Sequence, residues 1–285
     1  TPPPDLCTVA SPLEVARKKD DDKQEFSEKS PLSSQEILER VLNNPDTVLT
    51  PDQSISAINH GAQLGEQNAT NAADKVITVF MGNTGAGKST TINCLVGCKM
   101  KAEIDELEEE KISVDPESNI AEVMPIGHGR PSKTFLPQIV QNPNNPDRVY
   151  CDCPGFFDNR KPEINITNAI NVKKILKQAR GIKIVFLTEY DDLVGTRGRN
   201  IKEMCNLCKQ MFGDGEAGVN NLRDCQTVVL LGITKAPLYT TSGRPLSLNS
   251  IRLRLRQSGS DVAQILASRV FLFDPLDRGN NNPDF

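Results

Sequence analysis

No apolar run in this sequence approaches the ~20 residues that a membrane-spanning helix needs, so no spanning segment is expected. The opening residues, TPPPDLC, lack the basic start and apolar core of a secretory signal. They begin with Thr rather than Met, which suggests a processed chain or a piece of a longer one. An excess of positive charge is missing too. With 33 Lys and Arg against 37 Asp and Glu the net charge is −4, and no global field draws the chain to nucleic acid or an anionic membrane. Histidine is scarce: His60 and His128 lie too far apart in sequence to suggest a metal pair. Eight cysteines are present, but not in a metal or disulfide pattern. Cys205 and Cys208 have zinc spacing without a second pair at finger-like distance, so core or reduced surface thiols are the expectation. No internal repeat or long low-complexity segment stands out.

A chain of 285 residues can bury one sizeable core plus an appendage, and a single stretch organises this one: Lys75 to Val96, KVITVFMGNTGAGKSTTINCLV. Its centre, Gly82-Asn83-Thr84-Gly85-Ala86-Gly87-Lys88-Ser89, fits the Walker A or P-loop pattern G-x-x-x-x-G-K-[ST]. The surroundings fit as well. Val76 to Met81 is a short apolar, β-branched run that reads as a buried strand, and Ile92, Leu95 and Val96 recur at helical spacing. Glycines let the backbone N–H groups from Asn83 through Thr90 converge on phosphate oxygens at the positive end of the following helix. Lys88 is the charge expected to reach the β- and γ-phosphates, and the Ser89 hydroxyl the ligand expected for Mg²⁺.

Around this motif the chain divides into three. Residues 1–31 are proline-rich, carry the charge run Arg17 to Lys23 and have few aromatics, which predicts a disordered tail or linker. Residues 32–74 predict a helical extension: Ser33 and Ser34 followed by Glu36 open SSQEILERVLNN, and a second helix is expected from Ser54 to Leu64. The extension also suits a partner-binding arm. Residues 75–285 alternate apolar runs with amphipathic stretches. Strands are expected at Phe135 to Val140, from Arg148, and at Ile182 to Leu187, Thr227 to Ile233 and Val270 to Phe273. Helices are expected at Ile166 to Ala179, Ile201 to Phe212 and, as one or two pieces, Leu248 to Arg269. The acidic run Glu103 to Glu110 reads as a solvated face. Continuous apolar strands separated by helices predict an α/β fold, a doubly wound, mostly parallel sheet covered on both faces, with the ligand at the carboxyl ends of its strands.

Downstream of the P-loop, Asp152-Cys153-Pro154-Gly155 ends a strand, and GITKAP, with Thr234 and Lys235, ends another. Together with GNTGAGKSTTIN and DCPGFFDNR, these residues resemble the TRAFAC class of P-loop GTPases over about residues 75 to 277, closest in motif to the AIG1-like and septin-like groups. The resemblance implies that Asp152 holds Mg²⁺ through water, that the Gly155 N–H senses the γ-phosphate, and that Thr134 is the switch threonine completing the metal's coordination. His128 falls in the same presumed switch. Thr234 and Lys235 match the start of the [NT]-K-x-D base-reading motif, but Pro237 stands where that motif has Asp. Asp274, or Asp277 in the same loop, occupies the place of the second base-contact loop. Phe156 stands where small GTPases carry the Gln that orients attacking water. Arg197 and Arg199 read as a solvated loop, or as arginines supplied across a dimer. The implied activity is slow hydrolysis of GTP with Mg²⁺ by a switch or assembly GTPase, acting with an effector or as a homodimer through the nucleotide face. The alternatives are an interaction module with little hydrolysis and an ATPase. The last helix usual in the class is missing or lies beyond residue 285. Nucleotide chemistry and unpatterned cysteines together point to a reducing, cytoplasmic setting.

Overall fold

The computed structural model describes residues 32–44, 46–127, 136–155, 161–195, 199–213, 215–225 and 228–277. Expectations for residues 1–31, His128, Thr134, Phe135, Phe156 and Arg197 lie outside them.

Period-2 alternation explains how the central sheet divides the core. In β1 (Val76–Met81), Ile77, Val79 and Met81 face one side and Phe80 the other, and every one of these side chains is buried. In β5 (Asn145–Asp152) the same rule puts Val149 and Cys151 with the first set and Tyr150 with Phe80. Beside these lie β4 (Gln138–Asn142), β6 (Gly181–Glu189), β7 (Val229–Thr234) and β8 (Val270–Leu272), giving a six-stranded sheet in the order β4-β5-β1-β6-β7-β8. All its pairings are parallel except β4 with β5. The fold is therefore the expected α/β architecture with a mostly parallel sheet.

One face carries α5 (Pro162–Gln178), α7 (Arg199–Phe212), α9 (Leu248–Gln257) and α10 (Asp261–Ala267), whose Ile175, Cys205, Ile251 and Leu266 join the larger core. The other face is covered by α4 (Lys88–Leu95) through Ile92 and by Val96 and Met124. Apolar side chains thus close both faces, as an all-parallel arrangement requires.

Three helices precede the sheet: α1 (Ser34–Asn43), α2 (Pro51–Leu64) and α3 (Glu66–Asn71). Capping boxes start the first two, Ser33 with Glu36 and Thr50 with Gln53, each satisfying two otherwise orphaned N–H groups. The second helix begins three residues earlier than its apolar pattern suggests, because Thr50-Pro51 supplies cap and first turn.

The acidic run is not merely a solvated face. It forms an antiparallel hairpin of β2 (Met100–Ile104) and β3 (Glu110–Val114), pinned by Asp105, which accepts from the Leu107 and Glu109 N–H groups and pairs with Lys111. Asn145 and Pro146, expected as turn, lie in β5, and β4 starts at Gln138. Short helices α6 (Tyr190–Val194) and α8 (Gly215–Asp224) complete the described elements, and the 248–269 stretch is two helices divided at Gly259. Among the described residues no helix is long and apolar enough to cross a membrane.

Candidate functional site

The carboxyl ends of the parallel strands gather the residues singled out from sequence. Met81 leads into residues 82–87, Asp152 ends β5, Glu189 ends β6, Thr234 ends β7, and Phe273-Asp274 follow β8. Register explains the grouping: Phe80 pairs with Asp152, and Glu189 with Thr234.

Gly82 turns the chain with φ +156, and a Cβ there would stand 2.3 Å from the Leu187 carbonyl oxygen, so no side chain fits. Gly87 is the N-cap of α4 at φ +80 and brings no side-chain cap. A Ser or Thr side chain caps α1, α2, α9 and α10, while α3, α5 and α6, like α4, have no side-chain cap. The P-loop helix keeps its first N–H groups clear of side chains, the arrangement that receives an anion. Thr84 and Gly85, at the crest of the loop, are exposed.

Lys88 is buried and folds back over this loop, its Nζ donating to the carbonyls of Gly82 and Asn83, each at 3.0 Å. The Ser89 hydroxyl donates to Asp152 Oδ2 at 2.6 Å. Asp152 is 1% exposed, and its Oδ1 has no hydrogen-bond partner among the described residues. Burial pushes its carboxyl above the usual range, while the Lys88 charge and the Ser89 hydrogen bond pull it down. Gly155 lies against the loop: a Cβ there would approach Thr84 Oγ1 to 2.6 Å and Thr84 N to 2.8 Å. Thr90 is half-buried in the first turn of α4.

Two oxygen donors, Ser89 and Asp152, one with a bare buried oxygen, form a hard-ligand pair suited to Mg²⁺. Among the described residues no three His, Cys, Asp or Glu side chains gather to hold a metal. The described cysteines are in no disulfide, and Cys205 and Cys208 are buried in the core.

On the other side of the loop, the Thr234 hydroxyl donates to the carbonyls of Ala86 (3.1 Å) and Thr188 (3.3 Å), tying β7 to the P-loop. Lys235, at φ +52, pairs its ammonium with Glu189 Oε1 at 2.9 Å. That carboxylate oxygen would lie 3.0 Å from a Cβ on Gly85. Pro237 is exposed and contributes no side-chain acceptor. Asp274 accepts from the Leu276 N–H in the loop after β8. Asp274 and Asp277 both lie close enough to Cys94 on α4 to help raise its thiol pKa, behind the main cause, burial.

Two residues here were not foreseen. Glu189 closes an apolar strand. Asn93 is wholly buried, and its amide donates to the carbonyls of Ser89 (3.1 Å) and Met124 (2.6 Å) while its oxygen accepts from the N–H groups of Val123 (2.8 Å) and Met124 (3.2 Å). The signal for Asn93 was its place four residues after Ser89, beside Ile92 on a helix facing the core.

No family model and no curated protein matches the chain. Among solved structures it is similar to a mutant of S. thermophilus NFeoB bound to GDP.AlF4−, at 14% identity and TM-score 0.40 over 72% of this chain and 58% of that one. It is similar also to NFeoB from S. thermophilus bound to GDP.AlF4− and K+, at 15% identity and TM-score 0.34 over 68% and 60%. A variant of SsGBP is matched at 13% identity and TM-score 0.33 over 85% and 77%. The chain thus spans less than two thirds of the NFeoB chains, and the functional reading below rests on its own residues.

Proposed function

We propose that the chain binds GTP with Mg²⁺ and hydrolyses it slowly, as a cytoplasmic switch or assembly GTPase of the TRAFAC class related to the AIG1-like and septin-like groups. The observation that carries the reading is the Ser89–Asp152 pair at the foot of an uncapped P-loop helix, with one oxygen of Asp152 buried and bare. Such a carboxylate is costly unless a cation shares the site.

In this reading the N–H groups of residues 83–90 cradle the β-phosphate, and Lys88 leaves the Gly82 and Asn83 carbonyls to donate to β- and γ-oxygens. Ser89, Asp152 and Thr134 would hold Mg²⁺, which would supply charge neutralisation at the phosphates. Gly155, already against Thr84, offers its N–H to the γ-phosphate. Phe156 brings no side-chain amide to orient water, so hydrolysis is slow unless a backbone group, another switch residue or a dimer partner positions it. Thr234 holds the base-side wall, the stem of Lys235 lies under the base, and Asp274 accepts from guanine in place of the absent motif Asp.

Two observations favour competing readings. Phe156 suits a binding module with little turnover, and Pro237 suits a site that also takes ATP. Phosphate release from GTP measured against protein concentration, with GDP or ADP as competitor, separates them. A release rate rising faster than linearly with protein, inhibited by GDP more than by ADP, is expected. No release at any concentration leaves only the binding module, and equal inhibition by both nucleotides removes guanine selectivity.

A further inference from the structure

The three helices ahead of the sheet are held in two different ways. Helix α3 is built into the fold: Ala69 and Ala72 belong to the main core, and the Asn68 amide donates to the Pro137 carbonyl at 2.7 Å. Helices α1 and α2 lie outside that core: Leu38 and Val41 of α1 pack with Ile164 in a satellite cluster joined by Leu42 and Leu49, and Ile37 and Ala57 are buried as well. Their hold on α5 also includes polar contacts. Ser54 donates to Glu163 Oε1 (2.7 Å), the Asn171 amide to the Gly61 carbonyl (3.0 Å), and Lys174 to the Ala62 carbonyl (2.9 Å).

The α5 side of that contact is poorly satisfied. Of six buried side-chain polar atoms without a hydrogen-bond partner among the described residues, four lie on α5: Glu163 Oε2, Thr167 Oγ1, Asn168 Oδ1 and Asn171 Oδ1. Where the contact covers such an atom, it loses water without replacement, which weakens the contact relative to a fully satisfied one. The packing is close: a Cβ on Gly61 would stand 2.6 Å from Thr167 Cγ2, and one on Gly65 2.2 Å from Asn171 Cγ. Gly65 is the junction of α2 with the anchored α3, which places a pivot between the fixed and the weakly held part.

The gripped stretch of α5, Glu163 to Lys174, begins at the end that follows Gly155 in the chain. Pro162 follows Gly155 after residues 156–161, and Glu163, Ile164 and Thr167 occupy the first two turns. We propose that α1 and α2 form a latch on α5 that is docked without triphosphate and released when a γ-phosphate engages Gly155. This rests on the nucleotide reading above. By linkage, whatever undocks α1–α2 tightens triphosphate binding by the same factor.

The test is amide hydrogen exchange on the full chain with Mg²⁺ and either GDP or GTPγS, with binding of each followed by calorimetry. Residues 34–64 are expected to exchange about five-fold or more faster with GTPγS, with residues 66–71 unchanged. Gly61→Ala drives a methyl against Thr167 while favouring helix in α2 itself, so it should raise GTPγS affinity about five-fold or more and leave GDP affinity unchanged. Gly61→Ala/Thr167→Ala makes room for the methyl and should restore wild-type affinity. Equal exchange in the two states while both nucleotides bind would overturn the latch alone. Failure of either nucleotide to bind would overturn the site reading and the latch with it.

Discussion

Replacing Asn93 with Ala removes a side chain that bridges the P-loop helix and residues 123–124. Four hydrogen bonds to the backbone are lost, and the N–H of Met124, a residue 1% exposed, is left without its partner. Each ordinary bond is worth ~1 kcal/mol net and each buried orphan costs ~1–3 kcal/mol, which for overlapping losses sums to about 3–5 kcal/mol. At ~2–4 °C per kcal/mol for a domain of this size, the midpoint of thermal unfolding should fall by roughly 6–20 °C. Circular dichroism melts read the midpoint, and amide exchange at Val123 and Met124 should accelerate first. Asn93→Asp keeps the acceptor but loses both donors and buries a charge, so it should be no better. A drop under ~2 °C in Asn93→Ala would show that residues 121–124 are held by other means and refute the reasoning.

Base choice and thiol chemistry give two further tests. Pro237→Asp should sharpen the preference for GTP over ATP by about tenfold or more, since a carboxylate accepting from guanine is worth ~1.5–3 kcal/mol per bond. Competition binding reads the ratio, and a wild-type chain that already excludes ATP by orders of magnitude, unaffected by Asp274→Ala or Asp277→Ala, would sink the assignment. Burial pushes the Cys208 thiol up to about 12, so at pH 8 only about one molecule in ten thousand carries the thiolate. Iodoacetamide should leave Cys208 unmodified in the native chain and label it after unfolding, as mass spectrometry of peptides would report. Rapid labelling of the native chain would contradict its place in the core.

The P-loop was legible because its requirements are local. Gly82 must take φ +156 against the Leu187 carbonyl, and Gly87 must start α4 at φ +80, so sequence alone carries the geometry. The strands β6 and β7 were legible because burial on both faces leaves unbroken apolar runs. The β2–β3 hairpin was not, since its residues are exposed or half-buried and no period-2 signal survives in a Glu-rich stretch. What holds it is turn chemistry at Asp105 and a Glu108 at φ +61. Helix α3 was missed because only Ala69, within a polar hexapeptide, carries its burial. Asn93 and Glu189 gain their roles from partners 30 and 46 residues away, Val123 and Lys235, which spacing along the chain does not reveal.

The central claim is that Lys88 and the uncapped P-loop helix bind a nucleoside triphosphate. Isothermal titration of the full chain and of Lys88→Ala with GTPγS and Mg²⁺ tests it most directly. The wild type should bind, and the variant should bind at least ~100-fold more weakly, the loss of about 2.8 kcal/mol expected when a charge-assisted donor to the phosphates is removed. Its melting midpoint without ligand reports the fold separately, since Lys88 donates to the Gly82 and Asn83 carbonyls and its charge acts on Asp152. A variant that binds as tightly as wild type, or a wild type that binds no nucleoside triphosphate, would contradict the account.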